Sequence, residues 1–255
     1  MTVIVKTKEQ IEIIREGGKR LAQVLAKTAK KALPGVSTYD LDQYAYKLIT
    51  DGGDTPAFLN YKPDGAPSAY PASLCVSVNN EIVHGIPNKS RILKEGDIVS
   101  LDLGLKHRGL FTDHAITVPV GKISAKDEQL INDTKKALDL GIWAARGGCT
   151  TGDIGHAIET FVHNRYGIVR ELAGHGVGVG IHEDPYIPNY GKAGKGQKLI
   201  PGMIIAIEPM LNLGKDHITV ASDDWTIKTA DGKHSAHFEH TILITEGDAE
   251  VLTIV

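Results

Sequence analysis

Two aspartates, Asp102 and Asp113, sit in apolar runs of alternating character. Ile98, Ser100 and Asp102 alternate with Val99, Leu101, Leu103 and Leu105, and Phe111, Asp113, Ala115 and Thr117 alternate with Thr112, His114, Ile116 and Val118. Period two on both runs predicts the strands of a hairpin. A two-residue turn at His107-Arg108 then sets Asp102 directly opposite Asp113. Opposed residues of an antiparallel pair have Cβ atoms ~4.5–5.5 Å apart, where like charges repel. A shared proton, a basic side chain or metal ions reconcile such a pair, whereas a pair left in solvent needs none of these.

Three further residues carry metal-ligating groups. His175 lies between glycines in Gly174-His175-Gly176-Val177-Gly178, which suggests backbone freedom to bring the imidazole close to a ligand. Glu208 closes the apolar run Met203-Ile204-Ile205-Ala206-Ile207 ahead of Pro209, and Glu239 interrupts Phe238-Glu239-His240-Thr241-Ile242-Leu243. Taken singly, the histidine reads as polar loop surface and each glutamate as a strand-end salt bridge. Taken together, four carboxylates and one imidazole suit Mn²⁺, Fe²⁺, Co²⁺ or Zn²⁺ better than a thiolate-type structural site. With bridging carboxylates, five ligands suffice for two ions, which in hydrolases stand ~3.5–4 Å apart.

The elements that must position these groups are legible from punctuation. Ile11, Ile14, Leu21, Val24 and Leu25 predict a helix over 8–33, opened by a Thr7/Gln10 capping box and stopped by Pro34-Gly35. Ser37 or Thr38 caps a second helix with Leu41, Tyr44, Ala45 and Leu48 inward, ending at Gly52-Gly53. Strands follow at 75–79 and in the hairpin. A second helical pair starts near Ala125, with Leu130, Thr134, Ala137, Leu138 and Ile142 ending at Gly147-Gly148, then a cap at Thr150 or Thr151 before Ile154, Ile158 and Val162. The stretch 35–41 (GVSTYDL) echoes 148–154 (GCTTGDI), so both halves read helix, glycine stop, capped helix, strands. Two similar units about a pseudo-twofold axis are expected, in one domain over 1–255 with halves of about 7–120 and 121–255. Further strands are predicted at 203–208, 218–220, 237–244 and 251–255.

Composition bounds the function. A net charge of −3, with 23% charged and 42% hydrophobic residues, describes an ordinary soluble globular protein with no general attraction to DNA or anionic membranes. Two cysteines, Cys75 and Cys149, lie outside any zinc-type spacing and argue against a disulfide framework, so a cytoplasmic protein is expected. No leader pattern or membrane-length apolar run is seen.

His84-Gly85-Ile86-Pro87, the 102–113 hairpin, Gly174-His175-Gly176-Val177-Gly178, Ile207-Glu208-Pro209-Met210 and Phe238-Glu239-His240-Thr241 follow one another as in the type I methionine aminopeptidases, which the chain resembles over nearly its whole length. The resemblance implies the α+β pita-bread fold shared with creatinase and proline-specific peptidases: two pseudo-twofold-related α/β halves with a curved antiparallel sheet covered by helices. It implies removal of the initiator methionine from nascent proteins and peptides whose second residue is small, by two-metal-assisted hydrolysis of the first peptide bond. By the same resemblance Asp102 chelates one ion, Asp113 and Glu239 bridge both, and His175 and Glu208 complete the other, with Glu208 also the general base. His84 and His182 would hydrogen-bond substrate or the developing oxyanion, and Tyr70, Cys75 and Trp225 would wall the methionine pocket, with Phe58 and Tyr61 nearby. The other eight histidines are assigned to surface or structure. A monomer acting on N-terminal Met peptides, with the ribosome as a partner, completes the expectation.

Two departures bear on the pocket: Ile181 stands where several relatives carry an aromatic residue, and the loop 62–67 lacks their cysteine or tyrosine. The short stretch between Glu208 and Glu239 leaves no room for the helical insert of the type II enzymes. A proline-specific peptidase or creatinase would usually carry an extra N-terminal domain, for which this chain lacks the length. A non-catalytic binding protein on the same fold would have lost ligands, and all five are present.

Overall fold

The computed structural model describes residues 3–255. Four long helices form where the caps predict: α1 Lys8–Ala29, α2 Thr38–Asp51, α3 Ala125–Ala144 and α4 Thr151–Val162. Thr7 Oγ1 accepts the Gln10 N–H at 3.2 Å while Gln10 returns its Oε1 to the Thr7 N–H at 2.9 Å. Ser37 and Ser124 cap α2 and α3, and Asp153 accepts both the N–H and the hydroxyl of Thr150 ahead of α4. The first helix ends before the predicted 33, because Lys31 to Leu33 turn back on themselves ahead of Pro34.

The central sheet contains β1 Thr55–Pro56, β2 Leu74–Val78, β3 Ile98–His107, β4 Leu110–Pro119, β5 Gly174–Gly176, β6 Glu183–Ile187, β7 Ile204–Ile207, β8 Glu239–Leu243 and β9 Glu250–Val251. Its order is β1-β3-β4-β8-β7-β5-β6, with β2 on β3 and β9 on β8, and every pairing is antiparallel. Strands from before and after α3 meet at the β4–β8 contact, at the middle of the sheet.

One face of this sheet is apolar and takes the helices. Leu74, Val76, Val78, Val99, Leu101, Leu103 and Leu105 pack with Leu21, Leu25, Leu41, Ala45 and Ile49 of α1 and α2. Ile205, Ile207 and Ile242 pack with Leu130, Ala137, Leu138, Ile154 and Ile158 of α3 and α4. Burying each Val, Leu or Ile among them contributes ~1.5–3 kcal/mol, which fixes which way every strand faces. The opposite face carries the polar residues together with a second apolar cluster that includes Cys75, Ile204 and Leu243.

The hairpin register differs from expectation by two residues. Arg108 and Gly109, with φ of 47° and 91°, form the turn, so Asp102 pairs with Ala115 and Asp113 with Gly104. Two-residue hairpins favour positive φ at both central positions, and Gly109 supplies the second far more cheaply than Arg108 could. Because the shift is even, both aspartates keep one face, diagonal to each other rather than opposed. The strand predicted at 237–244 also divides. Ser235–His237 pairs with Met210–Asn212 in a small separate sheet, and Glu239 begins β8. Of the run 251–255 only Val251 lies in a strand. Among the described residues no helix is long and apolar enough to cross a membrane.

Candidate metal centre and substrate cavity

The sheet register brings the five ligand-type residues together on the face away from the helices. Asp102 faces Ala115 on β4, and Ala115 in turn pairs with Glu239 on β8. One step beyond the His240↔Ile207 pair, Glu208 is level with Glu239, and one step beyond Gly176↔Ile205, His175 is level with Ala206. Alternation then puts Asp102, Asp113, Glu239, Glu208 and His175 on one side. Small residues between them, Gly104, Ala115 and Ala206, leave the space. A Cβ on Gly104 would lie 2.8 Å from the Phe58 ring.

The glycines flanking His175 serve a purpose other than the expected freedom in φ. Neither is among the positive-φ glycines. A Cβ on Gly174 would strike the Ala206 carbonyl, and one on Gly176 the Asp184 carbonyl, so both glycines permit close approach of β5 to its neighbours.

Ligand atoms of Asp102, Asp113 and Glu239 lie within 4.8 Å of one another, as do those of His175, Glu208 and Glu239. Asp102, Asp113 and Glu239 are buried, and Glu208 is nearly so. Burial, and then their mutual repulsion, pushes Asp102, Glu208 and Glu239 well above the usual carboxylate range. Burial raises Asp113 too, offset in part by the N–H of His114.

Three observations show that this set fits a divalent cation. Asp102 Oδ1 and Glu239 Oε1 are buried with no hydrogen-bond partner, which is costly for a carboxylate. No Lys or Arg is paired with any of the four carboxylates among the described residues. His175 Nδ1 lies 2.9 Å from the Gly176 carbonyl, which can only accept, so Nδ1 carries the proton. Burial lowers the His175 pKa to about 4, so the ring is neutral and Nε2 is a bare lone pair. That lone pair points at Glu208 Oε1, 3.5 Å away, and Asp113 Oδ2, 3.9 Å away. A cation between them turns mutual repulsion into shared coordination.

A cavity of about 350 Å³ opens over this cluster. Every residue expected of the site lines it: Asp102, Asp113, His175, Glu208, Glu239, His84, His182, Tyr70, Cys75 and Trp225, along with Phe58 and Tyr61. Pairing of Cys75 with Asp102 puts the thiol beside the cluster. Tyr70 donates to the Gly85 carbonyl at 2.9 Å and meets Trp225 edge-on at 5.2 Å between centroids, and Trp225 Nε1 donates to Ser68 Oγ at 3.1 Å. Beyond Trp225, at 6.2 Å, stands His84 in the left-handed region, with φ of 59°. Burial first, and His182 second, lower His84 to about 4. His182 stands exposed at the mouth, its ring edge-on to His175 at 4.4 Å and Nδ1 2.7 Å from the Tyr61 hydroxyl. Partial desolvation, then His175, lower its pKa. Both rings are therefore neutral at neutral pH.

The sequence did not point to Val83, Leu172 and Tyr186, which complete the cavity wall, or to His237. That histidine is buried, leaves both ring nitrogens unpartnered, and holds Nε2 3.7 Å from Glu208 Oε2. Nothing in a single sequence separates it from the other structural histidines. Ile181 packs into the apolar cluster of Phe58, Tyr70 and Cys75 and stays out of the cavity wall, whereas Pro63 of the 62–67 loop reaches it. The larger surface cleft of about 540 Å³ beside α4 contains none of the expected residues.

Residues 12–246 match the profile of metallopeptidase family M24. A methionine aminopeptidase of Bacillus subtilis is 46% identical over 254 residues, covering 99% of this chain and 100% of that protein. The crystal structure of the Thermotoga maritima methionine aminopeptidase superposes with a TM-score of 0.94 at 40% identity, covering all of both chains. The prolidase of Pyrococcus furiosus, at 23% identity and a TM-score of 0.76, shares the fold over 99% of this chain and 66% of its own.

Proposed function

Because the chain belongs to the M24 metallopeptidases and, within them, to the methionine aminopeptidases, we propose that it removes the initiator methionine at a centre of two divalent ions held by Asp102, Asp113, His175, Glu208 and Glu239. Mn²⁺, Fe²⁺, Co²⁺ and Zn²⁺ all suit four carboxylates and one imidazole. Asp113 and Glu239, at the middle of the cluster, would be the residues shared between the two ions. The observation that carries the reading is the bare Nε2 of His175 facing two carboxylates in a cavity whose far wall is apolar.

Bound divalent ions supply Lewis-acid polarisation of the scissile carbonyl and acidify a water near neutral pH. Glu208, as its carboxylate, would accept the proton of the attacking water and return it to the leaving amine. Neutral His84 and His182 donate hydrogen bonds toward the developing oxyanion and the peptide amide, and need no proton from solvent to do so. Tyr70, Cys75 and Trp225, with Phe58 beside them, receive the methionine side chain. The free α-amine would take an open position on a bound ion beside the carboxylates, selecting a chain terminus over an internal bond.

The experiment is reconstitution of metal-free protein with Mn²⁺, Fe²⁺, Co²⁺ or Zn²⁺ and assay of Met-Ala and Met-Gly peptides. Release of methionine is expected, and its absence with every metal would sink the reading. The same proposal includes a monomeric single domain, with halves of about 7–120 and 121–255, acting in the cytoplasm on chains emerging from the ribosome. The two unpaired cysteines support a reducing compartment.

A further inference from the structure

Lys6 precedes α1 and yet is buried, its ammonium paired with Glu183 Oε2 and donating weakly to the Ile4 carbonyl at 3.4 Å. Only 1% of the Lys6 side chain and 6% of the Glu183 side chain are exposed. Taking both charges out of water costs several kcal/mol per ion, so such a pair is seldom a net gain over an apolar one and is often kept for the geometry it enforces.

That geometry centres on the loop before β6. Glu183 Oε1, the oxygen not used by Lys6, accepts the N–H groups of Val179 at 2.5 Å and Gly180 at 2.8 Å. One carboxylate therefore gathers two amides of the loop and the ammonium of the segment before α1. That segment is itself anchored, since the Lys6 N–H donates to the Gly202 carbonyl at 2.9 Å and Val5 bridges Met203 ahead of β7. Elsewhere the loop is held by the buried Ile181, by single bonds from Gly178 N to Gly180 O and from Phe111 N to Gly178 O, and by the pairing of Glu183 with Gly176, while Val179 is exposed. The His182 ring itself also meets the Tyr61 hydroxyl at 2.7 Å and His175 edge-on, contacts that orient the imidazole once the loop has placed its backbone.

His182 is the residue immediately before Glu183. Neither Lys6 nor Glu183 lines the cavity, so neither can touch substrate directly. We infer that the buried Lys6–Glu183 pair is the device that positions His182, so that the segment before α1 sets the placement of a substrate-binding imidazole on the far side of the loop. The inference rests on the assignment of His182 to substrate. A misplacement of ~1 Å at such a group costs up to ~100-fold in rate.

The test uses the full, metal-loaded chain and the variants Lys6→Met, Glu183→Gln, Lys6→Arg and His182→Ala, with kcat and KM on a Met-Ala-Ser peptide, calorimetric metal affinity and melting temperature. Lys6→Met and Glu183→Gln should each lower kcat/KM ~10–100-fold while metal affinity stays within ~3-fold, and Lys6→Arg, which keeps the charge, should recover most of the loss. Added to His182→Ala, Lys6→Met should cost nothing further. The inference is overturned if the folded Lys6→Met and Glu183→Gln proteins keep wild-type kcat/KM, or if their losses persist in full on the His182→Ala background. Full activity of His182→Ala alone overturns the assignment of His182 itself, a separate failure. Should Lys6→Met not fold, Glu183→Gln preserves volume and an acceptor, and the imidazole resonances of His182 report displacement in it directly; unchanged resonances count against the inference.

Discussion

Replacing Glu239 by Gln should move stability and activity in opposite directions. In the metal-free protein Glu239 stands with ligand oxygens of Asp102 and Asp113 within 4.8 Å, and two unit charges at that distance repel by about 3 kcal/mol at an effective dielectric of ~20. Partial protonation relieves some of this, leaving ~2 kcal/mol to be gained when one charge is removed, or ~4–8 °C in melting temperature for a chain of this size. The sign with pH follows from the raised carboxylate pKa values. A carboxyl whose folded pKa lies above its unfolded one contributes stability at low pH that is lost as pH rises through the folded value. Metal-free wild type should therefore weaken from mildly acidic toward neutral pH, and Glu239→Gln should escape part of that decline, with little difference between them near pH 4. With metal, the order reverses: on the proposed assignment the variant loses a metal ligand, and turnover should fall by more than the ~100-fold that a supporting residue costs. Melting curves of chelator-treated protein from pH 4 to 8, alongside peptide hydrolysis, measure both. A metal-free variant less stable than wild type at neutral pH, together with surviving activity, would refute the reasoning.

Other outcomes follow from the same geometry. His237→Phe, which removes the Nε2 held 3.7 Å from Glu208, should weaken metal binding ~10–100-fold by calorimetry with little change in secondary structure. Trp225→Ala removes the ring between Tyr70 and His84 and should lower kcat/KM ~10–100-fold, chiefly through KM, given ~1.5–3 kcal/mol for burying a large apolar side chain. Gly109→Ala should cost ~1–2 kcal/mol in denaturant unfolding, because a Cβ there meets no neighbour but φ is 91°.

Local chemistry was the legible part of this fold. The Thr7/Gln10 box, the Ser37 cap and the Thr150–Asp153 cap act through residues three apart, and each sits where its side chains predict. The five proposed ligand residues were legible only as a set, since each glutamate alone reads as a strand-end salt bridge and His175 alone as loop surface. The turn was harder. His107-Arg108 and Arg108-Gly109 differ by one position, and the glycine at φ of 91° was the signal that separates them. The error moved Asp102 from Asp113 to Ala115 yet left the site intact, because facing depends on parity rather than on the partner. What stayed hidden depends on contacts between distant strands. His237 and Glu239 lie two apart in what reads as one strand, and only the switch of partners from Met210 to Ala115 separates their sheets. The Lys6–Glu183 pair joins residues 177 apart in sequence, and no local pattern announces it.

The most direct measurement is anomalous diffraction from crystals of the protein soaked in Mn²⁺. The account predicts two peaks in the cavity, both within coordination distance of Asp113 and Glu239, one also beside Asp102 and the other beside His175 and Glu208. Peaks that avoid the bare Nε2 of His175, or an ion held by His84 and His182 in place of the carboxylate cluster, would contradict it.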